Sequence, residues 1–443
     1  MPLALALFAA LTLAGRWFLP LDETRYLAVA WEMWQRGDWL LPTLNAEPYT
    51  QKPLLLFWLI LGPWKILGVN AWAPRLLPFL FSFLCLLETR ALGRRLFPEN
   101  WQAADRAPFV LFSFFPWMIF STLIMFDVLL SFFVLVAMRG LWEQGKSGMA
   151  RLGIGITGGM LAKGPALLVF VLPATLFWLA ARGGQGRLSR LGIFSGFCLA
   201  GTFFWLLPGF FFEKGVLGVF WHQGAGRLVD SFAHDEPFWF YLALFPVLAL
   251  PWSVCPGVYR GLRHLLLSPS LPVFFLGLWI LPPFLLLSLA SGKQPQYLLP
   301  LFPALALLIS RSLRSFPFSA VGASFMVFIT CLAGVLPMLS SKYDVRPIAQ
   351  VLRQAEDEGR PIAAVDKYHG QYHFAGRLRR PFAEMGITEA TLWIAENEKG
   401  VLVSHRKVTG AGKPCLALPF RGKEIYLYAR RCGLLGKTPS LMK

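Results

Sequence analysis

The sequence predicts an all-α bundle of membrane-spanning helices followed by a small α/β domain. Three observations carry this. Of 443 residues, 56% are hydrophobic and 15% are charged, whereas an average soluble domain is about one-quarter charged. Mean hydropathy is +0.54, and 17 Trp and 40 Phe accompany it, a profile of lipid-facing helices with aromatic belts. Long apolar runs continue to about residue 340, where short alternating runs and denser charge replace them.

A spanning helix needs about 20 apolar residues. Candidate spans lie near 2–20, 72–90, 107–123, 128–143, 151–168, 167–182, 190–210, 238–256, 271–289, 296–310 and 318–340, about eleven in all. Residues 1–20 lack a basic leading region and a small-residue cleavage site, so they read as a retained helix. Arg90, Arg94 and Arg95 share one connection, Lys146 and Arg151 another, and Arg182, Arg187 and Arg190 a third. Arg260 with Arg263, and Arg311 with Arg314, complete the set. All fall on one side when spans alternate, and the positive-inside rule makes that side cytoplasmic. The opposite side then holds 21–71, 124–127, 211–237, 290–295 and the tail, with the termini on opposite faces. Topology thus accounts for the net charge of +18, and no nucleic-acid reader motif supports a nucleic-acid partner.

Within 21–71, Asp22, Arg25, Tyr26, Val29, Ala30, Met33 and Trp34 recur at helical spacing. A short helix on the bilayer surface is expected, ended by Gly37 and Pro42 of "RGDWLLP". After 340, "RPIAQVLRQAEDEG" reads as a helix, and "PIAAV", "TLWIAEN", "KGVLVSHR" and "KEIYLYAR" read as strands. The expected division is a membrane domain over 1–340, with the loop 21–71 outside, and a soluble α/β domain over 341–443. Cys85, Cys198, Cys255 and Cys331 lie in or beside apolar runs and read as buried hydrophobes. Cys415 and Cys432 would be free to pair in an oxidising compartment; their spacing leaves the pairing open. No cysteine spacing matches a zinc site.

The chemistry-bearing residues crowd one side. Asp22 reads either as a helix cap with a surface ion pair or as a reactive carboxylate. Asp127 in "IMFDVLL" sits between apolar runs, where an acid is costly and marks function. Lys52 in "YTQKPLL" and Lys163 in "LAKGPALL" read as snorkelling lysines or as phosphate-binding cations. With Tyr49, and with Lys293 and Tyr297 of "SGKQPQYLLP", they would hold a phosphate at the lipid boundary. "WHQGAGRLVDSFAHDEPFWFY" adds His222, Arg227, His234, Asp235 and Glu236, a polar loop or a metal site. Cations, phenols and carboxylates above a greasy layer suit a substrate with a charged head and a lipid tail, such as a polyprenyl-phosphate sugar.

The segment "DETRYLAVAWEMWQRGDWLLPTLNAEPYTQKPLLLFW" resembles the first periplasmic loop of the ArnT-like lipid A aminoarabinose transferases, GT-C glycosyltransferases related to protein mannosyltransferases. The likeness continues through "IMFDVLLSFF", "GMLAKGPALL", "HDEPFWFYLALFPVLALPWS" and "SGKQPQYLLPLFPALALL". It implies a multi-pass inner-membrane enzyme of the GT-C type with a periplasmic active site and C-terminal domain. That enzyme moves a sugar, with inversion, from a polyprenyl-phosphate donor to lipid A or another envelope acceptor. By resemblance Asp22 and Asp127 are the catalytic acids, and Arg25, Tyr49, Lys52 and Tyr297 surround the donor phosphate, with Lys293 close by. His222 falls at a metal-binding histidine. Where the family carries a Glu zinc ligand this chain has Gln51, a poor one, which puts the zinc in doubt. A protein O-mannosyltransferase-like acceptor and a lipid-linked sugar transporter are the alternatives; the chain shows no internal repeat of the transporter kind.

Overall fold

The computed structural model describes residues 10, 18–143, 145–181, 187–210, 236–267, 269–313, 317–420 and 423–432. Its contacts form two units, residues 1–10 with 50–330, and residues 11–49 with 331–443. Residues 21–49 of the first loop therefore group with the C-terminal region and residues 50–71 with the larger unit, whereas the chain-order division places the whole loop with the membrane domain.

In chain order the described helices are α1 (Asp22–Arg36), α2 (Leu55–Leu67), α3 (Trp72–Leu96), α4 (Trp101–Ser113), α5 (Phe115–Phe120), α6 (Phe126–Glu143) and α7 (Gly145–Lys163). There follow α8 (Ala166–Ala181), α9 (Arg187–Leu206), α10 (Phe240–Leu248), α11 (Pro256–Leu267), α12 (Leu271–Leu289), α13 (Phe302–Ser312) and α14 (Phe318–Tyr343). The C-terminal region adds α15 (Arg346–Asp357), α16 (His373–Gly376) and α17 (Ile387–Glu396).

The larger unit is helical. Its tightest pairing is the hairpin of α6 and α7, turned at Gly145 with φ +64°. A Cβ on Gly155 would lie 2.5 Å from the Ala137 amide nitrogen, and one on Gly140 2.5 Å from that of Leu152. Small residues here let two backbones touch, the packing that apolar surroundings reward. At the turn, Glu143 accepts Arg139 at 2.9 Å, pairs with Arg151, and lies 3.5 Å from Arg95. Arg90 and Arg94 both reach Asp105, at 2.8 and 2.9 Å. Arg95 and Arg151, from two of the connections expected to share one side, thus meet at Glu143, and Arg90 and Arg94 share Asp105.

Among the described residues, two helices are long and apolar enough to cross a membrane, α3 and α12. Little more than a quarter of the apolar window of α12 is buried, 28%. Leu281, Leu285 and Leu289 of α12 stay exposed. The apolar helix α2 lies inside the segment 21–71, which the sequence reading left as loop.

The smaller unit is α/β. Its sheet has the order β4-β3-β5-β7-β6, from β3 (Ile362–Val365), β4 (Ala383–Met385), β5 (Val401–Ser404), β6 (Leu416–Phe420) and β7 (Lys423–Tyr428). β3 pairs in parallel with β4 and β5, and β7 runs antiparallel to β5 and β6. Strands β3 and β5 are buried along their whole length, as strands with both faces covered must be. Ile348 and Leu352 of α15 cover one face, with Ala364 and Val403; Ala390 and Ile394 of α17 cover the other, with Ala363 and Leu402. "TLWIAEN" is therefore helical, not a strand. Glu389 reaches back to the Gly386 amide at 3.1 Å, supplying the helix start, and Ala390 and Ile394 at i, i+4 make the buried stripe. Cys415 and Cys432 are joined as a disulfide.

Helix α1 belongs to this unit and is not a surface helix, since ten of its residues, Glu23 to Met33 apart from Arg25, are buried. Gly37, at φ +67°, ends it as expected. The Trp31 indole donates to the Leu378 carbonyl at 2.7 Å, and the Gln35 amide to the same oxygen at 3.1 Å. A two-residue hairpin follows, β1 (Thr43–Leu44) and β2 (Glu47–Pro48). Its turn residues Asn45 and Ala46 have φ +57° and +64°, the handedness of a type I′ turn. Buried Glu32 holds this turn by accepting from Thr43 Oγ1 at 2.6 Å, Asn45 N at 2.6 Å and Ala46 N at 3.2 Å. Asn45 in turn exchanges hydrogen bonds with the Phe382 backbone, at 2.7 and 2.9 Å.

Candidate functional site

In the larger unit, the end of the hairpin opposite the arginines carries the candidate acid. Asp127 lies in the first turn of α6, where the helix dipole favours an anion. It is 4% exposed. Lys163 is the last residue of α7, because Gly164 turns left-handed at φ +63° and Pro165 cannot continue the helix. The Lys163 ammonium donates to Asp127 Oδ1, with side chains 14% and 5% exposed. The same ammonium sits 4.4 Å above the Tyr297 ring. Lysine 163 is thus neither a snorkelling residue nor an unpaired cation. Beside it, the Lys52 ammonium lies 5.4 Å from the ring of Phe126.

Tyr297 stands on a 3-10 segment, Pro295–Leu301. The Tyr241 hydroxyl pins the start of this segment, accepting from Gln294 N at 3.1 Å and donating to Gln294 O at 3.0 Å. Lys293 is buried and donates to the carbonyls of Glu236 at 2.6 Å and Ala290 at 2.5 Å. Two of its three donors therefore hold the loop. A small apolar pocket lies at the start of α6, lined by Leu56, Leu77, Phe81, Met125 and Val128 among others.

In the smaller unit, Asp22 opens α1 and is exposed, with no hydrogen bond or ion pair among the described residues. Its neighbour Glu23 is buried and accepts from the Leu19 amide at 2.7 Å. Arg25, one turn on, is half-buried, and its Nε is shielded from solvent with no acceptor among the described residues. Tyr49 is buried, and its amide donates to the Pro42 carbonyl at 2.9 Å. Burial, with the charges of Arg25, Lys367 and His405, lowers the His369 pKa from its ordinary value to about 4.

The structure thus gathers Asp127, Lys163 and Tyr297, with Lys52 beside Phe126, and keeps Asp22, Arg25 and Tyr49 within the other unit. His222 lies outside the described residues, as do Arg227, His234 and Asp235. Among the described residues no three His, Cys, Asp or Glu side chains are placed to hold a metal. Gln51, exposed, offers only an amide, a poor zinc ligand. Sequence reasoning missed Glu32, Asn45 and His369. Only the "NAE" turn gave a local signal; Glu32 bonds to residues 11 to 14 positions on, whereas Asn45 bonds to Phe382 and His369 lies near Arg25, each more than 300 residues apart.

No family model matches the chain. It is 30% identical over 326 residues to the undecaprenyl phosphate-alpha-4-amino-4-deoxy-L-arabinose arabinosyl transferase of Edwardsiella ictaluri, covering 69% of this chain and 57% of that one. To the protein of the same name from Pseudomonas aeruginosa it is 31% identical over 329 residues, 70% of this chain and 58% of that one. The crystal structure of ArnT from Cupriavidus metallidurans bound to undecaprenyl phosphate superposes with a TM-score of 0.77, over 98% of both chains at 17% identity. The chain is an ArnT-like GT-C protein. The apo crystal structure of the Cupriavidus metallidurans ArnT superposes equally well, at 0.77 and 16% identity. The ArnT-like chain spans a little over half the length of the curated relatives it matches. The expected fold, a helical bundle with a small C-terminal sheet domain, is the one found.

Proposed function

We propose that this ArnT-like chain is an integral membrane glycosyltransferase. It takes a sugar from a polyprenyl-phosphate donor and passes it to a cell-envelope acceptor, lipid A or another envelope glycolipid. The observation that carries the reading is the buried Asp127–Lys163 pair beside Tyr297, next to a small apolar pocket at the start of the same helix. A charged centre beside apolar side chains suits the boundary between a phosphate head and a lipid tail. The relatives' names supply the donor class, undecaprenyl phosphate carrying an aminoarabinose.

A membrane site is supported by the spacing of charge. Asp127 and Glu143 stand at opposite ends of α6, 16 residues apart, or roughly 24 Å at 1.5 Å per residue. That is close to the roughly 30 Å of a bilayer's hydrocarbon, with arginines at the Glu143 end. The positive-inside rule then puts the arginine end in the cytoplasm and Asp127 on the periplasmic side of an inner membrane. The disulfide in the smaller unit fits an oxidising compartment.

The reaction is a direct displacement at the anomeric carbon with inversion. The acceptor oxygen forms the new glycosidic bond as the bond to the polyprenyl phosphate breaks. Asp22, exposed and unengaged, positions or deprotonates the acceptor: a hydroxyl needs a base, and a phosphate, already anionic, needs only positioning. In the larger unit Lys52 neutralises the departing phosphate. The test is turnover by purified protein in detergent with undecaprenyl-phosphate aminoarabinose and lipid A. A pure transporter gives no product there. Product that appears undiminished with Asp22→Asn and Asp127→Asn would overturn the assignment of roles.

A further inference from the structure

In the smaller unit, the loop after β3 lies against helix α1. Gly370 takes φ +74°, and a Cβ there would meet Ala28 Cβ at 2.8 Å and Leu44 Cδ1 at 2.5 Å. Arg25 stands three residues before Ala28 and shares its helix face. His369, next to Gly370, is within electrostatic reach of Arg25, of Lys367 in the same loop and of His405 after β5. Gln371 ties the two imidazoles together, its Oε1 accepting from the His369 amide at 3.2 Å and its Nε2 lying 3.3 Å from His405 Nε2.

The charges that act on His369 are cationic, from Arg25, Lys367 and His405. Asp366, the acid of the same loop, is taken by Arg406 at 3.0 Å. Asp22, on α1, is exposed and bonds to no group among the described residues. The guanidinium of Arg25 is always charged, yet its Nε is buried without an acceptor among the described residues. A buried charged donor left unpaired costs more than a made bond returns. Such an arrangement suits a ligand that supplies the acceptor.

We propose that Arg25, His369 and Lys367 form one binding site for a phosphate ester, so that the C-terminal region contributes directly to substrate binding. Arg25 and Lys367 supply charge, and His369 donates a ring N–H to a phosphate oxygen. His405, held through Gln371, is a positioning residue. The ligand class rests on the transferase reading, in which both the polyprenyl-phosphate donor and a phosphorylated acceptor carry this group.

The test uses the full chain in detergent with two probes, undecaprenyl phosphate and glucosamine 1-phosphate. With the correct probe, histidine ring NMR should show the His369 titration rising from about 4 toward its ordinary range as the bound anion offsets the neighbouring cations. His369→Gln should weaken that probe about tenfold, the worth of one charge-assisted hydrogen bond; His369→Asn guards against a folding defect. Which probe responds assigns the site to donor or acceptor. An unmoved His369 titration and unchanged affinity for both probes overturn the proposal, even where sugar transfer is intact. A shifted titration in a protein that transfers no sugar leaves this site standing and removes the transferase reading instead.

Discussion

At the residue scale, two carboxylates given similar roles face opposite structural constraints. Asp22 is exposed and bonds to no described group, so Asp22→Asn should leave the melting temperature nearly unchanged while sugar transfer falls by roughly 100-fold or more, the usual loss for a missing general base or positioning group. Asp127 is buried against Lys163, and Asp127→Asn strands a buried ammonium. Stability should drop by about 3–5 kcal/mol, and the double variant Asp127→Asn/Lys163→Met should recover most of it. A double-mutant cycle on unfolding free energy measures that coupling; additive losses would refute it. Both acids were legible in the sequence, one at a helix start after an apolar run and one between two such runs. The partner of Asp127 was not legible, because Lys163 lies 36 residues away and only the α6–α7 hairpin brings them together. A third residue couples to pH. Burial first, then neighbouring cations, hold His369 near 4 in the folded chain, against about 6.5 when unfolded. Between those values the unfolded chain binds more protons. The stability contribution is therefore full above about pH 6.5 and is lost as pH falls toward 4. His369→Gln should flatten the fall in melting temperature across that window.

At the scale of elements, periodicity identified α1 and its end at Gly37, but not what covers it. Helical spacing with aromatics reads the same for a bilayer surface and for a protein surface. The deciding contacts, Trp31 to Leu378 and Asn45 to Phe382, join positions more than 300 residues apart. Helix α17 was hidden for a different reason, since "TLWI" has strand-like composition and its helix start depends on Glu389 three residues after Gly386. The hairpin after α1 hangs on one carboxylate. Glu32→Gln keeps the shape but loses a charged acceptor for three donors, and should cost about 2 kcal/mol. Faster proteolysis at 43–48, with the α15–β3 region still protected, is the expected readout; uniform loss of protection would mean that the hairpin is not a local element.

For the whole molecule, charge and redox chemistry each specify a side of the membrane, and they can be tested together. The arginine end of the larger unit faces the cytoplasm if the positive-inside rule holds. The smaller unit carries a disulfide, Cys415–Cys432, which persists only where thiols are oxidised. It closes a segment of 17 residues, and loop entropy makes a closure of this size worth about 3 kcal/mol. Replacing both cysteines by serine should lower the stability of the C-terminal region by about that amount. The same pair reports orientation. Cys331 is exposed and would react in its own right, so the measurement starts from Cys331→Ser. A membrane-impermeant maleimide applied to intact spheroplasts should leave Cys415 and Cys432 untouched until an impermeant reductant is added, and then label both. Labelling that needs permeabilised membranes would place this region on the reducing side and exclude a periplasmic site for the transfer, whereas labelling of intact spheroplasts without reductant would show that the two thiols are unpaired.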